Sequence, residues 1–325
     1  MRSYWMHTDG SVPALQIRDV PQPRPGPGQL LVRMRAASLN RGEFIAGHGL
    51  HQPGAAKAIG MEGAGDVVQA AAGSRFQAGD RVMGRCSGAF SEFAVMDERE
   101  AIAVPASLTW EQAASVPLVF LTVHDMLVEQ GRLAAGEWML VNGVSSGVGV
   151  ASLQLAKAIG ARVIGTSRSA GKLARLQPLG LDVGLPTGGA EFHDAVMKAT
   201  EGKGVNLVIN TVGGSVFAEN IRCMAFEGRL ATVGYVDGVL EAPTDLLALH
   251  AKRLTLFGVS NKLRTPQQRA AGLPGLVRDV LPALADGRIK PMVDRVFAFE
   301  QLAEAKTCME ADQHVGKLVL AMTAG

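Results

Sequence analysis

The sequence predicts an α/β protein with an antiparallel β region at the start, a doubly wound parallel sheet in the middle and a mixed tail. Three observations carry that expectation. At roughly 150 residues per domain, 325 residues make about two domains. Residues 1–100 read as short strands between glycine and proline breakers, the texture of an antiparallel domain. From about Leu118 short apolar strands alternate with longer helical segments, which requires a parallel sheet covered on both faces.

The elements follow in order. Early strands are expected at Leu30–Met34, Gly65–Gln69, Asp80–Gly84 and Phe90–Val95, with Pro21–Gly28 as a breaker. A helical stretch from Leu121 to Gln130 opens the alternating region. Strands are then expected at Trp138–Asn142, Arg162–Thr166, Asn206–Asn210 and Arg229–Val233. Helices fit between them at Val148–Ile159, Gly171–Leu179, Glu191–Thr200 and Val216–Met224. The tail adds strand-like Val293–Phe297 and Lys317–Leu320.

Composition narrows the function classes. Lysine plus arginine number 32 and aspartate plus glutamate 30, a formal charge of +2 with no basic run, which argues against nucleic acid. Hydrophobic residues make up 47%, enough for a large core. The cysteines Cys86, Cys223 and Cys308 lie far apart, with no histidine at ligand spacing, so neither a disulfide framework nor a structural zinc site is expected. Met1 to His7 lacks the apolar core of a signal peptide, and no run approaches the ~20 apolar residues of a span, so a soluble cytoplasmic protein is expected.

The most informative stretch is Val141-Asn142-Gly143-Val144-Ser145-Ser146-Gly147-Val148-Gly149. A strand ends, a tight turn follows and a helix begins, which presents backbone N–H groups and a positive helix end to a pyrophosphate. The literal G-x-G-x-x-G is broken, since Val144 and Ser146 stand where its first two glycines would be. The same residues spell G-x-S-x-G, a nucleophile elbow around Ser145, with His193, His250 and His314 downstream. A second signal lies about twenty residues on, where an NAD site would carry an acid for the ribose 2′-OH. Here Ser167, Arg168, Ser169 and Lys172 follow the strand, with no acid before Asp182. Hydroxyls and cations suit a 2′-phosphate, so the two signals together favour NADPH over a hydrolase.

On these and further motifs the sequence resembles the zinc-free quinone oxidoreductase (zeta-crystallin-like) branch of the medium-chain dehydrogenase/reductase superfamily. The motifs are Leu31–Asn40, Gly60–Gly65, Gly79–Val82, Gly88–Phe93, Ala113–Leu118 with Leu121-Thr122, Ser146–Gly149 and Gly316–Leu320. The resemblance implies a GroES-like β-rich catalytic domain from both chain ends (1–118 and 258–325) and a Rossmann domain (119–257) that binds NADPH. It also implies a homodimer through the last Rossmann strand, near Leu254–Phe257. Zinc-dependent relatives carry cysteine where this chain has Asn40 and histidine where it has Met61, so no metal is expected.

By resemblance, Asn40 and Thr122 lie by the nicotinamide. Ser145, Ser146, Gly147 and Val148 face the pyrophosphate, and Ser167, Arg168 and Lys172 the 2′-phosphate. Asn210, Val212, Gly234 and Tyr235 sit at the cofactor edge, with Phe257, Val259 and Lys317 closing the nicotinamide side. His51 is the candidate proton donor on the substrate side. Glu62 is expected to be a buried, paired carboxylate, and His124 a packed core histidine.

The implied activity is zinc-independent, NADPH-dependent hydride transfer to quinones or α,β-unsaturated carbonyls. A 2-enoyl-thioester reductase is the enzymatic alternative, with Lys262, Arg264 and Arg269 as a basic rim. The alternatives of other classes are an NADPH-binding protein with little turnover, structural or RNA-associated, and a serine hydrolase using Ser145.

Overall fold

The computed structural model of the protein describes residues 1–9, 12–44 and 56–322. The chain forms two compact units, Met1–Leu121 with Arg264–Gly325, and Thr122–Leu263.

The first unit begins with strands β1 (Arg2–Asp9), β2 (Val12–Asp19), β3 (Gln29–Ser38), β4 (Lys57–Ala58), β5 (Glu62–Gln69), β6 (Arg81–Ser87) and β7 (Phe93–Ala103). The second carries β8 (Trp138–Asn142), β9 (Arg162–Ser167), β10 (Val183–Pro186), β11 (Val205–Asn210), β12 (Met224–Thr232) and β13 (Thr255–Gly258). The chain then returns to the first unit with β14 (Val293–Ala298) and β15 (Lys317–Ala321).

In the first unit β2, β1 and β4 form a small antiparallel sheet, and a larger one runs β14-β15-β3-β5-β6-β7. Because β3 also pairs with β7, the strands β3, β5, β6 and β7 close on themselves and leave no free edge among them. The closure demands tight backbone approach, and Gly65 permits it: a Cβ there would meet the Arg33 carbonyl. Met6, Leu30, Val32, Phe90, Met96 and Leu320 fill the interior. Burying the ring of Phe90 alone contributes about 2–3 kcal/mol. β15 lies beside β3, so residues from the far end of the sequence reach the end of β3.

The second unit holds one six-stranded sheet, ordered β10-β9-β8-β11-β12-β13, with every pairing parallel. β8, β9 and β11 are buried over nearly their whole length, as a sheet covered by helices requires. From β8 the chain moves outward to β9 and β10, then returns to the other side of β8 for β11 to β13. That reversal makes a switch point at the carboxyl ends of β8 and β11, the place where such sheets bind ligands.

The expected helix from Leu121 to Gln130 is instead the α-helix Pro117–His124 continued by a wider π-helical turn, Asp125–Glu129. β12 begins earlier than Arg229, because Met224 already pairs with Val205 before the register shifts at exposed Glu227.

Candidate active site and nucleotide cradle

In the first unit three neighbouring strands bring their ends together: β15 starts at Lys317, β3 ends at Ser38 before Leu39-Asn40, and β5 starts at Glu62. The Lys317 ammonium donates to Glu62 Oε1 at 3.0 Å, Asn40 Oδ1 at 2.8 Å and the Leu39 carbonyl at 3.0 Å. All three of its donors are thereby used. Glu62 is fully buried and accepts further bonds from Ser38 Oγ at 3.0 Å, Asn40 Nδ2 at 2.9 Å and the Leu118 amide at 2.8 Å. Such saturation lets a charge pair persist away from water. Glu62 is thus the buried, paired carboxylate its position suggested, and His124 is packed in the interior.

Asn40 joins this pair to a second carboxyl. Its Nδ2 donates to Glu43 Oε1 at 2.9 Å as well as to Glu62, and its Oδ1 accepts from Lys317. Carboxyl oxygens on one side and an ammonium on the other fix the amide orientation. Both Nδ2 hydrogens are spent, so Asn40 retains only accepting capacity at Oδ1.

Glu43 ends the short turn Arg41–Glu43 and is buried. Burial pushes its carboxyl up to about 8, with the Glu62 charge adding to the rise and the Asn40 bond and Lys317 opposing it. It therefore holds a proton at neutral pH. Glu43 and Met61 line a cavity of about 330 Å³. Glu43 has no counterpart among the residues singled out from sequence. Its Asn-x-x-Glu spacing was legible, but nothing in the spacing announces the burial that shifts it. His51, the expected proton donor, lies outside the described residues.

The donors around position 61 do not fit a zinc ion. Asn40 has both ends of its amide committed to Glu43, Glu62 and Lys317, Met61 offers only a thioether, and Glu62 is already neutralised by an ammonium. Burial pushes the Cys86 thiol up to about 12, so it stays neutral. Among the described residues no group of three or more His, Cys, Asp or Glu could hold a metal ion.

In the second unit the glycine turn leaves β8 at Gly143, whose φ is +71°. Ser146 caps the helix Gly147–Ile159, its Oγ accepting from the Gly149 amide at 3.0 Å. A Cβ on Gly149 would stand 2.6 Å from the Gly143 carbonyl oxygen and the Val144 backbone, so this position admits only glycine. Val144 breaks the literal motif without breaking the turn. It is fully buried, and Gly165 on β9 leaves the space its side chain fills. Ser145, Ser146, Gly147 and Val148 remain half-buried around the helix start, where an anion is favoured.

At the end of β9 Ser167 is buried, Arg168 exposed and Lys172 half-buried. Ser169 caps the following helix by accepting from the Lys172 amide. Asp182 lies at the other end of β9, bonded to the Val163 amide at 2.7 Å and to Lys157 at 2.8 Å. No carboxylate of that origin competes with the cations. At the end of β11 Asn210 spends its side chain on its own loop, accepting from Val212 and Gly213 and donating to the Gly213 carbonyl. Gly234 and exposed Tyr235 follow β12, while half-buried Phe257 and buried Val259 mark the end of β13. These residues therefore share the carboxyl edge of one sheet. Thr122 is half-buried on the helix Pro117–His124.

Two expectations fare less well. Ser145 keeps a negative φ and makes no hydrogen bond to a histidine among the described residues, unlike a strained nucleophile elbow. Arg269 is no free rim cation: its guanidinium lies on Glu100, 3.2 Å from Oε1.

Residues 26–106 match the alcohol dehydrogenase GroES-like domain and 147–271 the zinc-binding dehydrogenase domain. The human synaptic vesicle membrane protein VAT-1 homolog is 31% identical over 94% of this chain and 82% of its own length. A mycobacterial structure complexed with NADPH superposes with a TM-score of 0.86 at 29% identity, covering 99% of this chain and all (100%) of that one. A quinone oxidoreductase from Pseudomonas syringae pv. tomato DC3000 does so with 0.86 at 27% identity, over 99% of this chain and 100% of its own. No helix among the described residues is long and apolar enough to cross a membrane. With a GroES-like unit, a Rossmann sheet and a relative matched along most of both lengths, the chain belongs to the medium-chain dehydrogenase/reductase family.

Proposed function

We propose that the protein is an NADPH-dependent reductase of quinones or α,β-unsaturated carbonyls that works without zinc. The observation that carries this reading is the Lys317–Glu62–Asn40–Glu43 cluster: an ammonium and a proton-holding acid occupy the region a metal centre would need. The mycobacterial neighbour with NADPH and the quinone oxidoreductase neighbour support the cofactor and the acceptor class.

In the second unit, Ser145, Ser146, Gly147 and Val148 would hold the pyrophosphate at the helix start. Ser167, Arg168 and Lys172 would hold the 2′-phosphate, since a dianion is matched by hydroxyls and cations. Thr122, the Asn210 loop with Val212, Gly234, Tyr235, Phe257 and Val259 would complete the cradle. Bound NADPH supplies a hydride, so that NADPH, a proton and the acceptor give NADP⁺ and the reduced acceptor.

The protein's own residues manage the proton. Glu43 holds it at neutral pH, and a pKa near the working pH is what an efficient donor needs. Asn40 orients the Glu43 carboxyl, and Lys317 anchors Asn40 and Glu62. The conjugated acceptor spreads its developing negative charge, so this chemistry does not require a Lewis acid.

A homodimer formed along the outer edge of β13, in a reducing cytoplasm, belongs to the same reading; the three cysteines are free and buried. The test is fluorescence titration with NADPH and NADH, followed by oxidation of each against a quinone, a simple enone and a crotonyl thioester. The reading requires tighter binding of NADPH and turnover of the quinone or enone. Turnover confined to the thioester would replace the acceptor class.

A further inference from the structure

The cavity beside Glu43 contains a cation that the fold does not neutralise. Arg85 is half-buried on β6. Among the described residues its side chain has no hydrogen bond, ion pair or ring contact, whereas Arg81 on the same strand bonds the Leu108 carbonyl and lies over Trp110. The nearby acids are already committed. Glu62, directly across from Arg85 in the β5–β6 register, serves Lys317. Glu100 is bonded by Arg269, and Asp97 by Arg99. Glu43 is protonated at neutral pH. The segment 45–55, outside the described residues, contains no acidic residue. Burial and the neighbouring Arg269 charge both press the Arg85 guanidinium toward losing its proton, an environment that penalises a bare cation.

A guanidinium held this way costs stability unless a counter-ion arrives. The cavity of about 330 Å³ has room for one, and Arg85, Lys57, Arg269, Glu43, Met61 and Cys86 are among its lining residues. Arg85 presents a planar fork of donors suited to a carboxylate. The single charge of Arg85 is matched by one carboxylate.

We propose that this cavity receives the carboxylate of the acceptor, with Arg85 as its counter-ion, so that the substrate is an activated C=C compound bearing an acid group. The proposal rests on the reductase reading for its chemistry, but the anion site itself is a property of the first unit. Glu43 lines the same cavity, so the anchoring cation and the proton-holding acid face one bound molecule.

The test compares acetylacrylate, an enone with a terminal carboxylate, with its methyl ester, using NADPH and the whole protein. The expected kcat/KM is about tenfold or more higher for the acid, the scale of one desolvated charge pair. In Arg85→Gln the two acceptors come within about twofold of each other, and Arg85→Lys keeps part of the preference. The melting temperature of ligand-free Arg85→Gln does not fall, because an unpaired, half-buried cation has been removed. Levulinate, which lacks the reactive double bond, is titrated separately by calorimetry into wild type and Arg85→Gln. Binding that weakens about tenfold in the variant supports the site even if neither acceptor oxidises NADPH, in which case the reductase reading alone fails. Equal use of acid and ester by wild type, with levulinate binding absent or indifferent to Arg85, overturns the proposal. Inorganic phosphate binding more tightly than levulinate overturns the assignment to a carboxylate.

Discussion

The Lys317 ammonium stands 3.0 Å from Glu62 Oε1, although 255 residues separate the two in sequence. β15 and β5 both pair with β3, one on each side, so the contact joins β15 to β5 across the end of β3 around one charge pair. Removing one partner leaves the other buried and unpaired. Lys317→Met is expected to lose about 3–5 kcal/mol of unfolding free energy by denaturant titration. Adding Glu62→Gln to that variant recovers part of the loss, since the stranded charge is gone.

Glu43 makes stability fall as pH rises. Its carboxyl is raised from an ordinary 4.5 to about 8, so between those values the native state keeps a proton that the unfolded chain releases. Stability contributed by Glu43 is full below about 4.5 and is lost as pH rises through about 8. Glu43→Gln stays neutral throughout. Its melting temperature, compared with that of the wild type, should gain progressively across this interval. The same variant lacks the donor proton, and kcat for an enone should drop by about a hundredfold or more.

The glycine turn offers a steric test. A methyl group on Gly149 meets the Gly143 carbonyl oxygen and the Val144 backbone at 2.6 Å. Gly149→Ala is expected to cost about 1–3 kcal/mol of stability and to weaken NADPH in a fluorescence titration, because the turn must open to admit the side chain.

Arg168 and Lys172 separate the two nicotinamide cofactors. Neither has a role at the ribose that NADH shares with NADPH under the proposed assignment. Arg168→Ala and Lys172→Ala should each raise the Kd for NADPH about tenfold, the worth of one charge-assisted bond, and leave the Kd for NADH nearly unchanged. A parallel loss for both cofactors would move these cations elsewhere on the cradle.

Much of this architecture was legible in the sequence, because it rests on local rules. Buried parallel strands read as apolar runs, and Trp138–Asn142 is found with its expected bounds. The turn at Ser146–Gly149 declares itself by small residues between a strand and a helix, even with Val144 in a glycine position. What escaped notice depends on burial and on distant partners. That Gly165 makes room for Val144 is a relation between two strands. Asn40 was legible as a site residue, but the commitment of both its donors to Glu43 and Glu62 was not. Glu43 and Arg85 look like ordinary charged residues until the fold removes water from one and partners from the other.

Hydride transfer from NADPH without a metal is checked by steady-state oxidation of NADPH with protein stripped by a strong chelator. The acceptors are a quinone and a simple enone, assayed before and after stoichiometric zinc is restored. The stripped protein is expected to turn over at least one acceptor, with no gain on adding zinc. Activity that vanishes on stripping and returns with zinc would contradict metal-free hydride transfer.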